Sequence, residues 1–150
     1  MRIRARYPES GEYFAESDWD GQTGGTAITK SGESFAFDTP KIYGGRGKGV
    51  CPDELFVSAV LGCLTNTFLD FQRRFEMQLR SIHLEAKAST LFDNEGYTIT
   101  QIRVSGDVVV GKDELDVGER CVKLMKNYCH LTRSIRDCIP LEYNINVREE

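Results

Sequence analysis

The sequence predicts one α+β domain, an antiparallel sheet around a long buried central helix. Three observations carry that expectation. The 150 residues suit a single domain spanning 1–150, and a chain of this size buries roughly 70% of the surface it exposes when unfolded. Short runs that alternate apolar and polar residues stand on both sides of one long apolar segment, and period-2 alternation marks half-buried strands. The long segment, from 52 to about 77, carries helix-start signals and has apolar side chains on every face of its first half.

The elements follow in chain order. Tyr13-Phe14-Ala15, Thr26-Ala27-Ile28 and Ser34-Phe35-Ala36-Phe37 read as strands, the last closed by Pro40. Between them Asp20-Gly21, Gly24-Gly25 and Ser31-Gly32 suit hairpin turns. A glycine-rich segment, Tyr43-Gly44-Gly45-Arg46-Gly47-Lys48-Gly49, leads to the helix. Pro52 suits the first helical position, and Asp53 and Glu54 complement the positive end of the dipole. Over 55–64 nearly every residue is apolar or small, the pattern of a helix with no wet face. Ser58, Ala59, Gly62 and Cys63 are small enough to let another backbone come close. The second half turns amphipathic, with Phe68, Leu69, Phe71 and Phe75 set against Asp70, Arg73 and Arg74.

Two alternating strands come next. Ile82, Leu84, Ala86 and Ala88 share one face of the first, and Ile102, Val104, Val108 and Val110 share one face of the second. Asp93-Asn94-Glu95-Gly96 makes the turn between them. Residues 112–127 are predicted helical, with Leu115, Val117, Cys121, Val122, Leu124 and Met125 inward. A second short helix is expected over 130–137, and Leu141, Tyr143, Ile145 and Val147 alternate into a closing strand.

Composition narrows the function classes. A net charge of −4 argues against nucleic acid, whose phosphates call for clustered Lys and Arg. No run reaches 18 apolar residues, so no membrane span is expected. The charged start MRIRARYPES is followed by no apolar core of a signal peptide, which points to a cytoplasmic protein. Five cysteines, Cys51, Cys63, Cys121, Cys129 and Cys138, are an odd count with no C-x-x-C pair, so neither a disulfide framework nor structural zinc is expected. The two histidines, His83 and His130, form no ligand pair, and no metal or cofactor is expected.

Two cysteines stand in informative places. Cys63 lies in the apolar half of the helix, where a small core thiol and a reactive one are both open readings. About three turns in, it gains little from the helix dipole. Cys129 lies in Tyr128-Cys129-His130-Leu131-Thr132-Arg133. A new helix beginning there, together with Arg133, would favour a thiolate, while a buried turn thiol is the alternative.

Pro52-Asp53-Glu54-Leu55-Phe56-Val57-Ser58-Ala59-Val60-Leu61-Gly62-Cys63 resembles the P-x-E-L helix of the OsmC/Ohr superfamily, with its cysteine at the end. Cys129-His130-Leu131-Thr132-Arg133 resembles the second motif, usually C-P-x-S-R, and the element order agrees along nearly the whole chain. The resemblance implies an intertwined homodimer and a thiol peroxidase. Cys63 would attack an organic hydroperoxide or peroxide, Cys129 would resolve the sulfenic acid, and a lipoamide-like or thioredoxin-like dithiol would reduce the disulfide. It also implies an arginine, held by a glutamate, beside the thiolate. The early turn that carries that arginine reads Gly24-Gly25-Thr26 here, and Arg46 is the candidate replacement. Asp53 and Glu54 are candidates for the acid, and either also serves as a helix-start residue. His130 stands where the family usually has proline and reads as an exposed bystander, although an imidazole there is able to assist thiol exchange.

Two other function classes compete with the peroxidase. One is a non-catalytic dimer of the same fold that binds a small ligand, with backbone N–H groups of the glycine-rich loop offered to an anion. The other is a thiol redox sensor without turnover.

Overall fold

The computed structural model describes residues 8–150. Residues 1–7 of the charged start, Arg6 among them, lie outside the described residues. The chain forms two compact units, Met1–Pro52 and Asp53–Glu150.

In the first unit β1 (Ala15–Trp19), β2 (Gly24–Thr29) and β3 (Ser34–Asp38) make an antiparallel sheet in chain order. Tyr13 and Phe14, expected within the first strand, precede it. The turns at Asp20-Gly21 and Ser31-Gly32 form as expected. The Asp20 carboxylate accepts the Gln22 N–H at 2.8 Å, and the Thr29 N–H donates to the Glu33 carbonyl at 2.9 Å. Gly24-Gly25 is not a turn. The two residues pair within β2 against Asp38 and Phe37, and a Cβ on either would collide with the carbonyl oxygen of Phe37 or Asp18. The glycines are there for close approach of neighbouring backbones.

Asp38 ends β3 almost fully buried and organises the segment that follows. Its carboxylate accepts the Thr23 hydroxyl at 2.7 Å, the Thr39 N–H at 2.8 Å and the Lys48 N–H at 2.9 Å. The Lys48 N–H and the Thr23 hydroxyl are the main reasons its pKa lies below the usual carboxylate value. After one 3-10 turn at Lys41–Tyr43, the glycine-rich segment returns along the sheet and Val50 bridges Phe37.

The second unit begins in α1 (Pro52–Arg74), followed by β4 (Leu79–Phe92), β5 (Tyr97–Val110), α2 (Leu115–Tyr128), α3 (His130–Ile135) and β6 (Leu141–Glu149). β4 and β5 form an antiparallel hairpin, and the Asp93 side chain accepts the N–H groups of Glu95 and Gly96 in its turn. The sheet is mixed rather than wholly antiparallel, because β6 joins β5 in parallel, with Ile102 opposite Leu141. The cause is the two helices between those strands, which provide the crossover that a parallel pair needs.

Val60, Leu64, Phe68 and Phe71 of α1, Ile102, Val104, Val108 and Val110 of β5, and Cys121, Val122 and Met125 of α2 make the core. Of the residues expected inward on α2, Leu115 is exposed and Val117 and Leu124 are half-buried. Phe71 meets Tyr128 with ring centroids 5.8 Å apart, fixing α1 against the end of α2. The expectation that α1 is buried on all sides is not met in the single chain. One stripe is buried, while Ser58, Ala59 and Gly62 are exposed. By length and composition α1 is apolar enough to cross a membrane, a match that the count of consecutive apolar residues did not register. Its stripe from Val60 to Phe71 is nevertheless packed into protein core.

Candidate functional site

Cys63 belongs to the buried stripe of α1, one turn before Thr67, whose hydroxyl donates to the Cys63 carbonyl at 2.8 Å. Cys129 is fully buried and sits at the break between α2 and α3, with φ −58° and ψ 118°. That extended conformation ends one helix and opens the next. The Cys129 N–H still donates back to the Met125 carbonyl at 3.0 Å, and the Arg133 N–H donates to the Cys129 carbonyl at 3.0 Å. The new helix expected after Cys129 therefore forms, and Arg133 meets Cys129 through its backbone N–H.

The break brings two consecutive side chains to one sulfur. Cys129 Sγ lies 3.0 Å from Cys63 Sγ, and His130 Nδ1 lies 3.3 Å from the same atom. His130 is exposed, as the sequence suggested, and its Nδ1 and Nε2 lie 3.3 Å and 4.0 Å from Cys63 Sγ. The five cysteines are all thiols.

Burial raises the pKa of Cys63, and the adjacent Cys129 raises it further by hydrogen bonding and by charge. The backbone N–H groups of Leu131 and His130, at the start of α3, work the other way and favour the thiolate. Tyr143 of β6 lies near enough to Cys129 for charge to act between them. Burial, first, and charge on Cys129 raise the pKa of its phenol, while the Thr132 hydroxyl donates to the Cys129 carbonyl at 3.2 Å. Lys126 stacks its ammonium 5.4 Å from the centroid of the Tyr143 ring. Two thiols and an imidazole are thus gathered at one point of the fold.

Asp53 and Glu54 stand in the first turn of α1, and the Glu54 carbonyl accepts the Ser58 hydroxyl at 2.7 Å. Arg46 belongs to the first unit, where its guanidinium pairs with Asp20 and its Nε lies 4.0 Å from Asp38. Among the described residues no group of three or more His, Cys, Asp or Glu side chains is arranged to hold a metal ion.

A sequence model described as OsmC-like protein matches residues 45–144, well over half of the chain. The chain belongs to the OsmC-like protein family. Solved structures agree with that fold. A hypothetical protein from Aquifex aeolicus superposes with a TM-score of 0.76 at 18% identity, covering 94% of this chain and 99% of its own. An organic hydroperoxide resistance protein OsmC from Legionella pneumophila gives 0.72 at 16% identity over 96% and 100% of the two chains. An organic hydroperoxide resistance protein from Vibrio cholerae, described as putative and with captopril bound in one of its active sites, gives 0.71 at 18% over 95% and 97%. At these identities the likeness speaks for the OsmC-like fold alone. No curated protein is significantly similar in sequence. The family model covers the helix with Cys63 and the junction with Cys129, so both cysteines of the site lie within the matched OsmC-like segment.

Proposed function

We propose that this protein is a thiol-dependent peroxidase, in which Cys63 reduces an organic hydroperoxide or peroxide and Cys129 resolves the product. The observation that carries the reading is the 3.0 Å between sulfurs that stand 66 residues apart in sequence. Nucleophilic attack by Cys63 sulfur on the peroxide forms an S–O bond as the O–O bond breaks, giving a sulfenic acid and an alcohol. Cys129 sulfur then displaces the hydroxyl as water and forms a disulfide, a path that protects Cys63 from irreversible oxidation. A lipoamide-like or thioredoxin-like dithiol returns both thiols.

The names of the Legionella and Vibrio relatives support a hydroperoxide as substrate. The reading takes 1–150 as one OsmC-like domain in a cytoplasmic homodimer. The exposed Ser58, Ala59 and Gly62 in the apolar first half of α1 support a second copy covering that face. Asp53 or Glu54 as the acid and Arg46 as the cation remain part of the family-based assignment, although Arg46 is engaged by Asp20.

The test is a non-reducing peptide map after one equivalent of an organic hydroperoxide, with Cys63→Ser run beside wild type. A rapid Cys63–Cys129 disulfide in wild type and none in the variant is the expected result. Unchanged dithiol-dependent turnover in Cys63→Ser would sink the proposal.

A further inference from the structure

A protonated thiol is a poor nucleophile, and burial and Cys129 raise the pKa of Cys63 against the pull of the Leu131 and His130 N–H groups. Its position deep in α1 leaves little help from the helix dipole, which fades after the first turn. A base at the sulfur is needed, and His130 Nδ1 lies 3.3 Å away.

We infer that Cys63 and His130 form a cysteine–histidine dyad, in which the imidazole takes the thiol proton and returns it to the leaving oxygen. The substrate in this inference rests on the peroxidase reading, while the proton transfer between the two side chains does not. Cys63 Sγ lies 3.3 Å from Nδ1 and 4.0 Å from Nε2 of His130, so the sulfur is off the Nδ1 lone-pair axis, and a turn of the exposed ring aligns the two. In the tautomer with its proton on Nε2, His130 then accepts the Cys63 proton at Nδ1. The thiolate attacks the hydroxyl-bearing oxygen of the hydroperoxide. The S–O bond forms, the O–O bond breaks, sulfur is oxidised and the peroxide is reduced. The imidazolium gives its proton to the departing alkoxide, leaving an alcohol, a sulfenic acid and neutral imidazole. Because His130 is exposed, it also exchanges protons with solvent.

The backbone explains why a residue next to Cys129 reaches Cys63. Cys129, at ψ 118°, sends its own side chain into the core while the next residue begins α3 at the surface. One sulfur therefore has a resolving thiol at 3.0 Å and an imidazole at 3.3 Å from consecutive positions. Among the described residues of the second unit, the other titratable groups on the facing elements have partners or positions of their own. From β6 comes Tyr143, a phenol whose pKa is raised, and from α2 comes Lys126, whose ammonium lies over the Tyr143 ring. Arg133 of α3 is bonded to Cys129 through its backbone N–H. Asp53 and Glu54 precede Cys63 on α1 by more than two turns, roughly 14 Å along the axis.

Alkylation of Cys63 by iodoacetamide tests the dyad without peroxide. Rates would be read at the Cys63 peptide by mass spectrometry across pH, in wild type, His130→Gln and His130→Ala. Glutamine keeps a hydrogen bond but cannot take a proton, and an exposed site tolerates both changes. At pH 7 wild type should react about tenfold faster than either variant, the effect of one pKa unit. The gap should close in strong alkali, where hydroxide ionises the thiol unaided. Superimposed profiles, or a difference of the same size at every pH, would overturn the dyad, since a structural role predicts the latter. The two readings separate in the same proteins. If hydroperoxide leaves Cys63 reduced while the pH-dependent gap is present, the dyad stands and the peroxidase reading fails. If both variants oxidise Cys63 at the wild-type rate with superimposed profiles, the dyad fails and the peroxidase reading stands.

Discussion

Cys129 Sγ stands 3.0 Å from Cys63 Sγ while both are thiols. In the proposed peroxidase the resolving step therefore needs no rearrangement of the backbone, only a shift of about 1 Å to reach bonding distance. The contrast with a site lacking the second thiol is measurable. In Cys129→Ser, hydroperoxide should convert Cys63 to the sulfenic acid and then to the sulfinic acid, adding about 16 and then about 32 Da. Wild type should instead lose about 2 Da as a disulfide forms. A variant whose Cys63 peptide keeps its unmodified mass under these conditions would argue against oxidation at this sulfur.

Asp38 is the polar anchor of the first unit, with three donors on its two oxygens. In Asp38→Asn an amide NH₂ must face either the Lys48 N–H or the Thr23 and Thr39 donors, leaving a mismatch. The variant should melt at a lower temperature than wild type at pH 7. The sign of the pH dependence follows from a lowered folded-state pKa. The charge stabilises above the ordinary value of 3.8 and the contribution is lost as pH falls through the lower folded value. Thermal melts should thus show the two proteins converging in acid below that value. A difference that persists unchanged at low pH would point to packing rather than charge.

Much of this was legible in the sequence, and the failures share a physical cause. Pro52, Asp53 and Glu54 mark the start of α1, and its end falls within three residues of the expected one. Asp93-Asn94-Glu95-Gly96 and the alternation of Leu141 to Val147 place the hairpin and the last strand. The motif cysteines met in space. What local pattern could not show is who stands across from whom. Gly24-Gly25 looks like a turn because the neighbours that require glycine, Asp18 and Phe37, are strands away. The direction of β6 depends on the path of α2 and α3. His130 looked inert because its partner lies 67 residues away, and only the break at Cys129 brings the two together.

Cys121 offers a titration that reports on the core rather than the site. It is fully buried in α2, and burial pushes its pKa from 9.0 to about 11, with Arg120 opposing. A raised folded-state pKa stabilises below the unfolded value, and the contribution is lost as pH rises towards the folded one. Between pH 9.0 and about 11, the unfolded thiol ionises and the folded one does not. Stability should fall across that window by about 2–3 kcal/mol from this group alone. Urea unfolding under reducing conditions should show a smaller loss over the same window in Cys121→Ala. Equal losses in the two proteins would mean that Cys121 ionises as readily folded as unfolded.

Gly118 shows how closely α2 approaches the sheet. A Cβ at this position would lie 2.8 Å from a Val147 methyl and 2.9 Å from a Val110 methyl. Both distances are inside van der Waals contact, and both neighbours are β-branched, with χ1 too restricted to swing aside cheaply. Helix propensity favours alanine over glycine by up to about 1 kcal/mol. Overpacking costs about 1–3 kcal/mol, so the steric effect wins. Gly118→Ala should therefore lower stability by about 1–2 kcal/mol in denaturant unfolding. The cause is separable from any backbone effect by a second change. Val147→Ala should itself be destabilising, but Gly118→Ala made in that background should cost less than it does in wild type, because one of the two opposing methyls is gone. Strictly additive losses would show that α2 moves off the sheet instead, so that the valines never meet the new methyl.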